Sequence, residues 1–406
     1  MKIKPMSAAI RSLGLASSLC GAITLLSGSA FAMNGVQLGG YGTKNAAMGG
    51  ASIALPLDST AGINNPAGMA FVPTSMNAGL VVFSGHSDNN WALPNNSLTD
   101  NTRVLAPEGG ANWVLNQNMT VGLSFGGQGA GSSFGRTLVP AGLIAGAAQN
   151  EYNSIKTLDI VASVTWKVTP DLAIGIAPTL SVQQFKQEGV VVPTGLPFPA
   201  PPFGAVPSHG TQTATGWGLR VGALWKVTPD VSLGASYRSK TNMSKLGDYA
   251  NDLLAYSGGK LDIPDQFGVG VAWKLSPKLT LAADWLQINW RDSKSQQDPA
   301  GQYWQNQPVL RLGASYDLND TWTLRAGVSG NRRQIQSDNA AQNVFSPALN
   351  DRAYTAGVTM KLDSKSDISF AYELNPNQTL QGTGLSTGTT LSSKVQVFRL
   401  GYDRAF

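Results

Sequence analysis

A single cysteine in 406 residues excludes a disulfide scaffold, and two histidines leave little for a histidine-based metal site. Charge is scarce too. Asp, Glu, Lys and Arg together make up 13% of the chain, about half the ~25% usual for soluble domains. Apolar residues have not taken their place: they stand at 42%, and the mean hydropathy of −0.07 is close to neutral. A polytopic helical membrane protein would need repeated apolar runs of about 20 residues, and these are missing. Disorder is excluded in turn, because aromatic and β-branched residues are too plentiful. No ATP motif or energy-coupling box is evident, and nothing implies a cofactor.

What is present begins at the N-terminus. Lys2, Lys4 and Arg11 lead into an apolar stretch from Leu13 to Leu26, and Ala30-Phe31-Ala32 offers a small-x-small cleavage site. This predicts a secretory signal peptide over 1–32, since the apolar core is too short for a membrane helix and a cleavage signature follows. Cys20 follows Leu19 where a lipoprotein signal needs a small residue, so lipidation is not expected. Cleavage after Ala32 would remove that cysteine and three of the 29 basic residues but no acidic one, taking the net charge from +5 to +2. The basic character therefore resides partly in the signal, and no nucleic-acid partner is expected.

One phrase recurs along the remainder. Trp166-Lys167-Val168-Thr169-Pro170-Asp171-Leu172 returns as Trp225-Lys226-Val227-Thr228-Pro229-Asp230-Val231 and as Trp273-Lys274-Leu275-Ser276-Pro277-Lys278-Leu279. Looser copies start at Trp113, Tyr316 and Met360. Each reads as a strand end, a tight turn of Pro, Asp, Asn or Ser, and a new strand start. The spacing is too irregular for a solenoid. Flanking segments alternate with period two: Trp217, Leu219, Val221, Ala223 and Trp225 oppose Gly218, Arg220, Gly222 and Leu224. Six turns join twelve strands, and one more at each end makes fourteen, the first near Met76–Phe83 and the last near Lys394–Phe406.

An exported antiparallel meander with an even strand count is the signature of an outer-membrane β-barrel. Closure satisfies every backbone group in lipid, which an open sheet cannot do. The fold class expected is therefore all-β: a transmembrane antiparallel β-barrel of about 14 strands over 76–406. Trp113, Trp166, Trp225, Trp273, Tyr316 and Trp322 would form its periplasmic aromatic girdle. A β-sandwich or β-helix is the alternative, disfavoured by the shared turn end and the terminal Phe406. Near Trp285 the apolar parity flips, from Leu281, Ala283 and Trp285 to Leu286, Ile288 and Trp290, and a bulge there would reverse the inward and outward assignments downstream.

Residues 33–75 do not alternate. They hold Gly39-Gly40-Tyr41-Gly42, Asn45-Ala46-Ala47-Met48-Gly49-Gly50-Ala51 and Asn64-Asn65-Pro66-Ala67-Gly68-Met69. With fourteen strands behind them, these pieces give the chain from about Met33 to Phe406 a resemblance to the FadL/TodX family of outer-membrane transporters for hydrophobic compounds. The resemblance implies that 33–75 folds into the lumen as a plug, or hatch, with Asn65, Pro66 and Ala67 as its motif. It implies a monomer, and a kinked third strand that opens the wall sideways. Here the third strand breaks into Gly126, Gly127 and Gly129, and strand glycines mark bends or close approaches. It also implies an apolar groove in the loops after the fifth and seventh strands, where Val191, Leu196, Phe198 and Phe203 face Leu253, Leu254 and Tyr256. Exposed apolar loops of this kind mark binding surfaces.

Parity points Arg220, Arg238, Arg311, Arg325 and Arg399 into the lumen, with Asp159, Asp284 and Glu373 as partners. Of these, Arg311, Arg325, Arg220 and Arg238 are the candidates for a cargo carboxylate, although pairing that fixes the plug is the commoner use of lumenal arginines. Lumenal Leu224, Val161, Val395 and Val397 favour an apolar cargo. The expected function is passive uptake of a hydrophobic small molecule, foremost a long-chain fatty acid. An aromatic hydrocarbon or a general-diffusion porin is the alternative, and outer-membrane lipid the surrounding partner. His86 and His209, both expected in loops, belong to no Ser/His constellation, so an enzyme is not expected.

Overall fold

The six repeated phrases share one turn chemistry. In each, the fourth residue accepts backbone N–H groups from further along the turn through its side-chain oxygen. Thr169 binds the N–H groups of Asp171 and Leu172 at 3.3 and 3.0 Å, and Asn319 binds those of Thr321 and Trp322 at 2.9 Å. Thr228, Ser276 and Asn116 do the same, and Asp363 takes the N–H of Lys365. A side chain that mimics the backbone of a turn explains why Thr, Ser, Asn and Asp exchange freely there.

These turns connect strands that close on themselves in a computed structural model, which describes residues 34–92, 95–140, 143–144, 146–147, 149–195, 200–299 and 301–406. The predicted signal peptide lies outside the described residues. The fourteen barrel strands are β1 (Ser75–Asn90), β2 (Ser97–Val114), β3 (Met119–Ser132), β4 (Tyr152–Lys167), β5 (Leu172–Glu188), β6 (Gln212–Lys226) and β7 (Val231–Arg238), then β8 (Gln266–Ser276), β9 (Leu279–Ile288), β10 (Gln307–Asp317), β11 (Trp322–Asn331), β12 (Arg352–Lys361), β13 (Ser366–Gln381) and β14 (Thr390–Ala405). Each pairs antiparallel with its neighbours in sequence, and β1 pairs with β14 to close the ring. No described helix is long and apolar enough to cross a membrane.

The barrel is lopsided. Strands β1–β6, β13 and β14 run 14 to 18 residues, whereas β7–β12 run 8 to 11, which is near the ~9–11 a bilayer requires. Over the short side rise the connections 239–265, 289–306 and 332–351. The tall side explains a departure from expectation: His86 is not in a loop but on β1, which continues past Phe83 to Asn90. Outward side chains such as Ile174, Ile176, Trp217, Val269, Leu310 and Leu400 are exposed, as a lipid-facing surface requires. Of the turn-end aromatics, Trp166, Trp225, Trp273, Tyr316 and Trp322 are exposed in one belt.

No bulge lies at Trp285. The β9–β10 ladder is unbroken from Leu279↔Tyr316 to Ile288↔Gln307, and Leu286 and Ile288 point inward, both buried. The apolar parity flips because the surroundings of the inner face change. Higher up, that face meets an apolar cluster around Trp290, Trp304, Val309 and Leu349 instead of a polar lumen.

Residues 34–74 lie inside the ring. Two four-residue helices, α1 (Thr43–Ala46) and α2 (Ala61–Asn64), and a 3-10 helix (Pro66–Phe71) supply little structure of their own. The segment is buried almost throughout because it touches the wall on many sides. Ser52 and Ile53 donate N–H groups to Asp284 on β9, at 2.7 and 3.0 Å. Gly49 donates to Thr355 on β12 at 2.8 Å, and Lys44 pairs with Asp367 on β13 at 2.8 Å and Asp403 on β14 at 3.3 Å.

Candidate functional site

Three features lie along the axis from the loops to the periplasmic end: an apolar pocket, a buried ionic layer against the lumenal segment, and a break in the wall.

The pocket sits among the long connections at the end opposite the tight turns and has a cavity volume of ≈170 Å³. Val191 lines it from the connection after β5, Leu253 and Leu254 from that after β7, with Phe185, Ile155 and Phe345 completing the apolar surface. Three of the expected groove residues thus meet. Tyr256 does not line the pocket and is 54% exposed; Leu196 and Phe198 lie outside the described residues. Phe203 belongs to a short hairpin, its backbone paired with Pro193. No Lys or Arg lines the pocket among the described residues, and its only charged side chain is Asp298. His209 and Tyr249 tie the two groove connections together: His209 Nε2 lies 2.6 Å from Asp252 Oδ2, and Tyr249 donates its hydroxyl to the Gly210 carbonyl at 2.7 Å. Beneath Phe345, the Ser132 hydroxyl lies within hydrogen-bond distance of both the Phe345 carbonyl, at 2.8 Å, and Glu151, at 2.7 Å. Burial pushes the Glu151 carboxyl up to about 8.

Below the pocket the lumenal arginines are already engaged. Arg220 reaches Asp159 at 2.8 Å and the Ile63 carbonyl at 2.8 Å; Arg238 shares Asp159 at 3.1 Å. Arg311 donates to the Gly50 carbonyl at 3.2 Å. Arg325 bonds Thr359, in the field of Asp367, Asp317 and Asp403 at the periplasmic end. Arg399 pairs with Glu108 at 2.8 Å, both 1% exposed, and Glu108 also accepts the N–H of Gly42 at 3.3 Å. Sequence reading missed Glu108; its one signal was an inward parity shared with Gly110 and Asn112, hidden behind Pro107. The apolar lumenal residues are likewise occupied. Val161, Val395 and Val397 pack with Leu38, Tyr41 and Ile63, and Leu224 packs with Ala67 and Phe71.

The Asn65-Pro66-Ala67 motif fastens the segment to the wall. Asn65 caps the 3-10 helix by accepting the N–H of Ala67 at 3.1 Å, and its amide donates to the carbonyls of Ile53 and Ala223 at 2.7 and 3.1 Å. Pro66 offers its carbonyl to Thr165 at 2.7 Å. Only glycine fits at 222 on the facing strand, because any Cβ there would run into Asn65 Oδ1.

The wall break lies between β2 and β3. Their ladder ends at Glu108↔Gly126, whereas β3 continues on β4 to Ser132 and β2 continues on β1 to Ser97. The edges above the last pair therefore face each other without ladder bonds. Higher still, Asn96 donates to the Leu138 carbonyl at 2.8 Å and closes the break from the loop side. Gly126 is the last paired residue, and Gly127 and Gly129 lie on the free edge; none of the three forms a bulge against β4.

A family model described as "Outer membrane protein transport protein (OMPP1/FadL/TodX)" matches residues 20–406. The chain belongs to this family. Membership and the barrel together place it in the bacterial outer membrane. Outer membrane protein P1 of Haemophilus influenzae is 25% identical over 185 residues, an alignment covering 41% of this chain and 39% of that protein. The chain thus spans well under half of that curated relative. Among solved structures, the P. putida toluene transporter TodX superposes with a TM-score of 0.70 at 20% identity, covering 91% of this chain and 99% of TodX. A Pseudomonas aeruginosa FadL homologue gives 0.63 at 19% identity, covering 94% and 99%. At these identities the structural likeness establishes the fold alone.

Proposed function

We propose that this protein is a passive outer-membrane channel for small, neutral, hydrophobic molecules, of the size of one substituted aromatic ring. Cargo is captured in the loop pocket, passes the lumenal segment when that segment shifts as a hatch, and leaves through the break between β2 and β3. The pocket's size and charge carry this reading. An apolar cavity of about 150 Å³ takes up benzene, and 170 Å³ is of that order. A carboxylate would lie beside Asp298 with no cation in the lining among the described residues. Transfer from pocket to bilayer keeps the cargo out of water, worth about 0.8 kcal/mol per CH₂. The toluene channels of the same fold point the same way.

A long-chain fatty acid is the second reading. It is favoured by the guanidinium nitrogens of Arg311 (Nε) and Arg399 (Nε, Nη2), which are buried without a hydrogen-bond partner among the described residues. Equilibrium binding of toluene and of oleate to the purified protein separates the two. Toluene binding that is weakened by Leu254→Gln and indifferent to Arg311→Gln is the expected result. Oleate binding lost with Arg311→Gln would transfer the protein to the fatty-acid branch. High ion conductance with binding of neither would make it a porin.

A further inference from the structure

The lumenal segment places one aromatic side chain at the foot of the wall break. Gly126 faces inward, and a methyl built on it would lie 2.5 Å from Cδ1 and Cε1 of Tyr41. The ring of Tyr41 thus rests on bare backbone at the last β3 residue paired with β2, and Tyr41 is 7% exposed. Around it, Val104 and Ala106 on the free β2 edge pack against the cluster of Leu38, Tyr41 and Ile63.

The main chain at this point is held from two sides. Asn64, next to the Asn-Pro-Ala motif, accepts the Tyr41 N–H at 3.3 Å and donates to the Tyr41 carbonyl at 2.9 Å. Gly42 N–H binds Glu108, the β2 residue that pairs with Gly126. The side chain is held differently: the Tyr41 hydroxyl is buried with no hydrogen-bond partner among the described residues. The ring is therefore seated by packing, its hydroxyl in the field of Asp159, Arg220 and Arg238 but hydrogen-bonded to no described residue. It can swing off Gly126 without breaking a hydrogen bond while the backbone clamps stay in place.

We propose that Tyr41 is the shutter of the lateral opening: seated on Gly126 it seals the break, and cargo passes when the ring is displaced. The proposal rests on exit through the β2–β3 break and adds the residue that controls it. Asn64 is a positioning residue, since it acts only through the Tyr41 main chain. The seat vacated has the outline of one aromatic ring, which matches the cargo class inferred from the pocket.

A staple separates the shutter from the exit route itself. A Cβ on Gly127 would lie 3.3 Å from Cβ of Ala106, just short of the ~3.5–4.5 Å found in disulfides, so a slight parting of the two unladdered edges lets Ala106→Cys with Gly127→Cys bridge the break. Initial rates of toluene uptake are measured in cells producing each full-length variant, with heat-modifiable gel mobility as the check on folding. Uptake should fall when the staple is oxidised and recover on reduction. Tyr41→Ala should raise uptake severalfold, Gly126→Ala should do the same by evicting the ring, and Tyr41→Phe should match the parent. The combination Tyr41→Ala with Gly126→Ala should add nothing to either alone. If the staple blocks uptake but folded Tyr41→Ala and Gly126→Ala behave as the parent, the shutter is wrong and the lateral exit survives. If the oxidised staple leaves uptake unchanged, the exit route fails and the shutter fails with it.

Discussion

Replacing Asp159 by Asn isolates how far the order of the lumen depends on a single carboxylate. Asp159 is fully buried, receives Arg220 at 2.8 Å and Arg238 at 3.1 Å, and accepts the Ser181 hydroxyl at 2.6 Å. Asparagine keeps the shape and an acceptor oxygen but leaves two guanidinium groups, each 3% exposed, without a counter-charge. Removing one partner of a buried ion pair costs about 3–5 kcal/mol, mostly through the charge left behind. With a guanidinium slope of about 4 kcal/mol per molar, the unfolding midpoint in detergent micelles should fall by roughly 1 M. Because Arg220 also holds the Ile63 carbonyl, deuterium exchange at residues 61–64 should accelerate before the strands are affected. Adding Arg238→Met to Asp159→Asn removes one of the two uncompensated charges and its repulsion of Arg220, and should restore part of the loss. An unchanged midpoint in the single variant, or a double variant as weak as the single, would refute the electrostatic account.

Two further outcomes are expected. Glu151 has a folded-state value of about 8 against an ordinary 4.5, so between these the open loop ionises while the closed loop does not. Closed-loop stability is therefore full below about 4.5, falls as the pH rises and levels off above about 8. Exchange at the Phe134 amide, which Glu151 accepts at 3.3 Å, should show this slope after correction for intrinsic rates, and Glu151→Gln should flatten it. Asn65→Ala removes a helix cap and leaves buried carbonyls unpaired, together about 2–3 kcal/mol. It should loosen residues 61–71 in exchange experiments while leaving the barrel's melting intact, and loss of the whole barrel would contradict a local role.

The barrel was legible because its signals are local. Six side-chain-capped turns and a period of two state where strands begin, end and face, and the structure puts all six turns where Asn116, Thr169, Thr228, Ser276, Asn319 and Asp363 stand in the sequence. Strand heights were not legible: beyond the bilayer the outer face turns polar, so alternation fades on β1 after Phe83 although pairing continues to Asn90. The partners of the arginines were legible only in part. Asp159 could be matched to Arg220 by parity, but Arg399 and Glu108, 291 positions apart, meet directly over β1, and that meeting depends on the closure of β14 onto β1. Parity also identified Val161, Val395 and Val397 as lumenal without revealing that Tyr41 and Ile63 cover them. Contacts between an aperiodic segment and a wall depend on its path, and no local pattern encodes that path.

That path has a consequence for how the protein is made. Lys44 is joined to Asp367 across 323 residues and Gly49 to Thr355 across 306. Contacts of such long range are the slow ones to form, and a four-residue helix has no stability alone. The residues synthesised early thus find their first lasting neighbours only when the final strands exist. Residues 34–74 therefore have no fold of their own before the ring is nearly complete, and the last strands to pair, β12 to β14, are the ones that order the first residues of the lumen.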